Sequence, residues 1–259
     1  MEVAKWLLTV VLASVMYGTI SPLVYARRLQ FLSAASSHTA LLAVLISIPL
    51  SMYIPTYLTS MLVGLALMYA VGYAINRGVE PNTATSILVS FTASASVLAM
   101  YYVIRNYELQ TDIWALILGD PLLTTWKDLM FLGFVTLLVI SVALLTYREQ
   151  FHIGFDRDCA TLAGINVKLY DIAFYSILAI STVAMIKVVG FVLQHVLILL
   201  PCAIAMRFVR GSKLLIVSSI AVSMLGSIIG LALAIELNLS PSGVIGLVMF
   251  SFYALRWLR

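Results

Sequence analysis

Apolar runs long enough to cross a lipid bilayer recur along the whole chain, and no other feature constrains its fold as strongly. The hydrocarbon core of a bilayer is about 30 Å thick and takes about 20 apolar residues in a helix to cross. Hydrophobic segments of about that length are read at 3–25, 31–51, 55–75, 83–104, 129–147, 171–187, 190–207, 214–236 and 242–257. Of the 259 residues, 63% are hydrophobic and 10% charged, with a mean hydropathy of +1.08. That leaves too little polar surface to cover a water-soluble domain of this length. The runs are continuous rather than alternating, which argues against barrel strands. The expected fold is therefore all-α: one polytopic membrane domain over residues 1–259, with about eight to nine transmembrane helices.

The first run, Val3 to Tyr25, exceeds a secretory h-region and has no clear cleavage site, so it is read as a transmembrane helix. Between the fourth and fifth runs, Ile113 to Leu118 is apolar but too short to span, and is expected to lie at the interface or to re-enter. Orientation follows from basic residues. One arrangement gathers Arg27, Arg28, Arg77, Arg148, Arg157, Lys168, Arg207, Arg210, Lys213, Arg256 and Arg259 on one side. It leaves Lys5, Arg105, Lys127 and Lys187 on the other. The richer side is expected to be cytoplasmic, with the N-terminus outside and the C-terminus inside. Treating 171–187 and 190–207 as one kinked helix would break this consistency. The net charge of +4 then reflects loop bias rather than a nucleic-acid surface.

Cys159 and Cys202 fall on a loop and a membrane segment, so neither a disulfide nor a CxxC metal site is expected. GSIIG, Gly226 to Gly230, has the spacing that lets two helix backbones approach closely, although glycine is also common in such helices.

The longest loop on the basic side covers about 148–170 and reads REQFHIGFDRDCATLAGINVKLY. Asp156 is placed to cap a short helix over DCATLAG, and Gly164 to end it. A short helix on such a face reads either as a docking element or as a plain connector. His152 in the same loop is expected to be solvated.

Five blocks in this order resemble one family. RRLQFLSAASSHTALLAV is similar to RRxSFLGDAxSHAxLPGV, NTATSILVS to DTAxGIxxS, and FDRDCATLAGINV to FDxxxAxxxGxxV. VVGFVLQHVLILLPCAIA is similar to VGxLLVxALLxxPAAxA, and NLSPSGVI to DxPSGxxI. These are the patterns of permease subunits in the zinc/manganese/iron uptake family of ABC transporters, and the blocks extend from Arg27 to Ile245. The resemblance implies a homodimeric importer subunit in a prokaryotic plasma membrane. Its partners would be a cytoplasmic ABC ATPase, docked through Phe155, Asp156, Ala160 and Gly164, and an extracytoplasmic metal-binding protein. ATP would be bound and hydrolysed by the partner. This chain has no GxxxxGK[ST] phosphate loop and is expected to be a conduit, not an enzyme. No permanently bound cofactor and no nucleic-acid partner are expected; the metal is cargo.

Ionisable residues inside a membrane are costly and mark functional candidates. His38 lies roughly 15 Å and His195 roughly 18 Å from the basic face, at 1.5 Å rise per residue, so two imidazoles sit at similar depth. Neutral imidazole suits Zn²⁺ and other borderline metals, and the two are the expected metal ligands. His38 also reads as a buried side chain bonded to Ser37, Thr39 or a carbonyl. Ser37, Gln194, Pro201 and Glu236 are further candidates for the transport path. Of these, Pro201 is expected to kink its segment, and Glu236 either attracts cations at the entrance or is simply solvated. Lys187 is expected only to snorkel at the outer turn.

The chain departs from the family pattern at two places. Ala34 stands where the resemblance implies an Asp, one turn before His38. Asn82 stands in place of a second Asp and is read mainly as an N-cap. His195 reads either as the substitute for the missing carboxylate or as a pore-facing or interhelical hydrogen-bonding side chain. The favoured cargo is accordingly Zn²⁺, with manganese or iron as alternatives. An ABC permease for a siderophore or corrinoid is a further reading, though it would want a wide cavity and a longer chain. An ion-coupled carrier would want buried carboxylates, which the spans nearly lack. An intramembrane enzyme has no HExxH, GxSxG or paired aspartates here.

Overall fold

The computed structural model describes residues 2–107, 119, 121 and 124–255. The short apolar piece at 113–118, Arg256 and Arg259 lie outside the described residues. The elements are α1 (Glu2–Ala26), α2 (Gln30–Leu50), α3 (Thr56–Asn76), α4 (Pro81–Asn106), α5 (Trp126–Phe155), α6 (Arg157–Leu162), α7 (Val167–Ala205), α8 (Ser212–Leu237) and α9 (Pro241–Ala254). Seven of these are long and apolar enough to cross a membrane, and α9 is a shorter apolar helix. No strand occurs among the described residues.

The local chemistry explains where the helices begin. Thr125 and Asp128 form a reciprocal capping box at the start of α5, each side chain accepting from the other's backbone N–H. Glu80 caps α4 by accepting from the Thr83 N–H at 2.7 Å, and Pro81 follows at the first helical position. Asn166 caps α7 in the same way through Leu169. Helix α5 continues to Phe155, beyond the 147 expected, so the predicted long loop contracts to α6 and its short flanks. The hydroxyls within the spans mostly bond to a carbonyl one turn back, as Ser14 does to Val10 and Thr92 to Leu88. Such bonds satisfy a polar group where no water is at hand.

Helix α7 is 39 residues long, about 58 Å if straight and roughly twice the hydrocarbon thickness. It is not straight: Gly190, at φ 76° and ψ 166°, breaks it. Val183 and Ile186 pack on Ala40, Ala43 and Val44 of α2, yet Phe191 and His195 lie against His38, further back along α2. Asp171 near one end pairs with Arg27, just beyond α1. Near the other end, the Cys202 N–H donates to Ser21 Oγ, also in the last turns of α1, at 3.2 Å. The chain therefore reverses at Gly190, and α7 is two antiparallel limbs, 167–189 and 191–205. The two separate segments read from the sequence are both present. Pro201 lies buried within the second limb, but the break is at Gly190. A residue with φ near +76° strongly favours glycine, because a side chain there meets its own backbone.

The interior is built on α1, α2 and α7, whose apolar windows are 72%, 67% and 61% buried, against 22% for α4 and 28% for α5. The latter two present their apolar faces outward, where lipid replaces water. Helix α7 separates α1, α5, α8 and α9 from α2, α3 and α4. The GxxxG pair serves the contact between α8 and α9: a Cβ on Gly230 would sit 2.6 Å from Ile245 Cα. Arg27, Asn76, Arg157 and Asp171 mark one end of the bundle. At the opposite end the Lys187 ammonium lies 4.7 Å from the Tyr57 ring centroid. Tyr57 donates to Asp128 at 2.6 Å. Lys187 is thus more than a snorkelling side chain: with Tyr57 and Asp128 it joins α7, α3 and α5.

Candidate functional site

Helices α2 and α4 and the second limb of α7 border an open cavity of about 590 Å³. Its walls are Phe31, Ala34, Ala35 and His38 from α2, Asn82, Thr85, Ser86, Val89 and Ser90 from α4, and His195 from α7. The α2 residues recur at helical spacing and so share one face. The α4 residues do likewise, all but Val89 of them small polar side chains in NTATSILVS. The cavity extends from the first turns of α2 and α4, at the arginine-bearing end, inward to His38.

The two histidines meet here. Their ring centroids are 6.0 Å apart with the planes at 87°. The two imidazoles thus stand side by side on the cavity wall. Phe191, one turn before His195, sets its ring edge-on to both at 4.7 Å. His195 Nδ1 lies 2.8 Å from the Phe191 carbonyl oxygen. A carbonyl only accepts, so that contact requires Nδ1 to carry the hydrogen. Nε2 is then left with a lone pair, the arrangement that orients metal-ligating histidines.

No carboxylate lines the cavity among the described residues. No group of three His, Cys, Asp or Glu able to hold an ion occurs among the described residues. The donors are two imidazoles, the Asn82 amide and the hydroxyls of Thr85, Ser86 and Ser90. Ala34 faces the cavity one turn before His38, so the carboxylate absent from the sequence is absent from this wall. Asn82 also faces it. The expectation that Asn82 caps α4 is corrected: Glu80 holds that position, two residues earlier, and frees the Asn82 amide for the cavity. Glu80 is held below the usual carboxylate range by the backbone N–H groups of Asn82 and Thr83.

Other candidates lie apart from the cavity. Ser37 and Gln194 are fully buried beside the two histidines in sequence but do not line it. Their side-chain polar atoms have no protein partner. Glu236 is exposed near the end of α8. Sequence reasoning missed Phe191 and treated Thr85, Ser86 and Ser90 only as part of a family block. The three- and four-residue spacing of small polar residues in that block was the available signal.

Helix α6 forms as its residues direct. Asp156 accepts from the N–H groups of Asp158 and Cys159 at 2.9 and 3.0 Å. These bonds, that of Cys159 first, hold its carboxyl below the usual range. At the other end Ala163 is the C-cap and Gly164 takes the left-handed conformation, φ 82°. The Ile165 N–H then returns to the Ala160 carbonyl at 3.1 Å. Ala160 is buried against Ile153 and Val167 and fastens α6 to the body. Phe155 and Leu162 stand 84% and 87% exposed, large apolar side chains held out where a second protein can cover them. His152, in the last turn of α5, is exposed.

The helices form a bundle of membrane-length spans with an open, partly polar pocket among α2, α4 and α7. Over 99% of this chain and 91% of the other, the fold matches the structure of PsaBC from Streptococcus pneumoniae in complex with Fab, with a TM-score of 0.86 and 19% identity. The model of the ABC 3 transport family matches residues 2–258, and the chain belongs to that family. Similar proteins include the manganese transport system membrane protein MntC of Listeria monocytogenes, 24% identical over 98% of this chain and 89% of its own length. The high-affinity zinc uptake system membrane protein ZnuB of Haemophilus influenzae is 25% identical over 88% of this chain and 86% of its own length. The "Probable metal transport system membrane protein" of Treponema pallidum is 24% identical, and the match spans 62% of this chain and 61% of that protein.

Proposed function

We propose that this chain is the membrane-spanning subunit of an ATP-driven importer that moves a divalent transition metal by alternating access, with Zn²⁺ as the favoured cargo. The observation that carries the metal preference is the histidine pair, 6.0 Å apart in a cavity with no carboxylate among its described residues. Two neutral nitrogen donors suit a borderline ion, whereas Mn²⁺ is better served by carboxylate oxygen. Incomplete ligation also suits transport, since an ion must be held firmly enough to enter and weakly enough to leave.

In this reading the arginine-bearing end faces the cytoplasm, which leaves the N-terminus outside and the C-terminus inside. A separate ABC ATPase docks on Phe155 and its neighbours through α6, and an extracytoplasmic protein delivers the metal at the end marked by Lys187. A second copy of the chain completes the membrane unit. Names and fold of relatives support this reading, as does the exposure of Phe155 at the end of α5 and Leu162 at the end of α6.

The test is ATP-dependent uptake of Zn²⁺, Mn²⁺ and Fe²⁺ by the reconstituted complex, comparing the wild type with His38→Ala and His195→Ala. Zn²⁺ uptake that falls in both variants supports the shared site. Unchanged uptake in both removes it.

A further inference from the structure

The Asp171 carboxylate is fully buried, and its two oxygens are taken by two different elements. Oδ1 accepts from Arg27, in the turn between α1 and α2, and Oδ2 accepts from Arg157, the first residue of α6. Arg157 also donates to Asn76 Oδ1, at the last residue of α3, at 2.8 Å. One side chain of the first limb of α7 thus ties α6 to the starts or ends of α2, α3 and α7, and α2 and α7 carry the two histidines. Helix α6 otherwise touches the body mainly through the small Ala160.

The connection onward from Arg27 is short and stiff. The α1–α2 turn is only Arg27, Arg28 and Leu29, with Arg28 at φ 56°. The Arg28 and Leu29 N–H groups return to Tyr25 and Val24 of α1 at 3.1 Å each. His38 follows two turns into α2. At the other side of the cluster the end of α5 meets the end of α1 without slack: a Cβ on Gly154 would overlap the Ala26 carbonyl.

We propose that the Arg27–Asp171–Arg157 bridge transmits movement of α6 to the walls of the histidine cavity, with Arg157 as the positioning residue that couples the two. This rests on the proposed importer reading, in which a partner ATPase moves α6. A charged bridge suits the task better than an apolar contact, because its geometry is directional and its loss leaves charges unpaired. Arg157 is the member to alter. Its side chain is 46% exposed, against 4% for Arg27 and 1% for Asp171, so removing it disturbs the buried pair least.

The experiment uses the complex with its ATPase in nanodiscs. A cysteine replaces Ser90 in the cavity wall, and the exposed Cys159 is changed to Ser. The rate of maleimide labelling is compared with and without ATP and vanadate. In this parent, nucleotide changes the rate. Arg157→Ala should reduce that change by about 5- to 150-fold, the usual range of coupling between sites, while the ATPase still co-purifies. Arg157→Lys should restore part of it. An unchanged nucleotide response in Arg157→Ala overturns the proposal. Loss of the ATPase from that variant overturns it too, since Arg157 would then be a docking residue. A parent without any nucleotide response also overturns it. Labelling needs no metal, so a complex that fails to import Zn²⁺ but keeps the response would refute the cargo reading alone.

Discussion

The histidine cavity and the Asp171 bridge lie in one bundle and handle polarity in opposite ways. At Asp171 both carboxylate oxygens are occupied by guanidinium groups, and the carboxylate itself is buried. In the cavity, Nε2 of a neutral His195 has a free lone pair when Nδ1 is bonded, and no carboxylate is found among the described residues of the wall. One arrangement spends its bonding capacity internally and holds helices together. The other keeps capacity open, which is what a passing ion requires. Burial of a polar group in this protein therefore does not by itself leave it available to an ion, since at Asp171 both oxygens are already taken.

Four measurements would break or sharpen this contrast. The largest effect is expected from Asp171→Asn. It removes the anion between two arginines and leaves the buried Arg27 uncompensated, which costs about 3–5 kcal/mol when one partner of a buried pair is lost. Thermal unfolding of the purified protein should show the loss; a shift within about 0.5 kcal/mol, the size of an ordinary surface change, would erase the structural role.

Next come His38→Ala and His195→Ala. Each should lower Zn²⁺ uptake by about tenfold or more, equivalent to about 1.4 kcal/mol, while unfolding changes far less than for Asp171→Asn. A drop in stability as large as that of Asp171→Asn would make the histidines structural and collapse the comparison.

Ala34→Asp restores a carboxylate one turn from His38, on the cavity wall. It should shift the ratio of Mn²⁺ to Zn²⁺ uptake toward Mn²⁺ by about tenfold. An unaltered ratio would show that cavity charge does not set selectivity.

The smallest effect concerns pH at α6. Asp156 has a folded-state pKa below its unfolded value of about 3.9. Its contribution to the cap is therefore fully present above that unfolded value and is lost as pH falls through the folded one. Between pH 5 and 8, association of the ATPase should show no pH dependence from this group, and Asp156→Asn, itself a good cap, should match the wild type. A marked change across that range in the wild type that Asp156→Asn abolishes would contradict the capping role.

Much of this was legible in the sequence where near neighbours decide the outcome. Apolar run length gave the spans, including the two limbs of α7 that secondary structure joins into one helix. Asp156 and Gly164 gave both ends of α6, because capping is settled within four residues. Asn82 shows the limit of that logic: two capping-competent side chains lie within three residues, and Glu80 before Pro81 took the position.

Distance along the chain explains the rest. Sequence alone determined that histidines occupy two membrane segments, that a carboxylate is missing at Ala34, and that the chain is an all-helical permease. Only tertiary structure decided that His38 and His195 share a cavity, because that depends on α7 reversing at Gly190 and packing back along α2. Only tertiary structure brought Arg27, Arg157 and Asp171 to one point. Helix propensity and hydropathy are sums over adjacent residues, whereas which faces meet depends on close packing among all the helices at once.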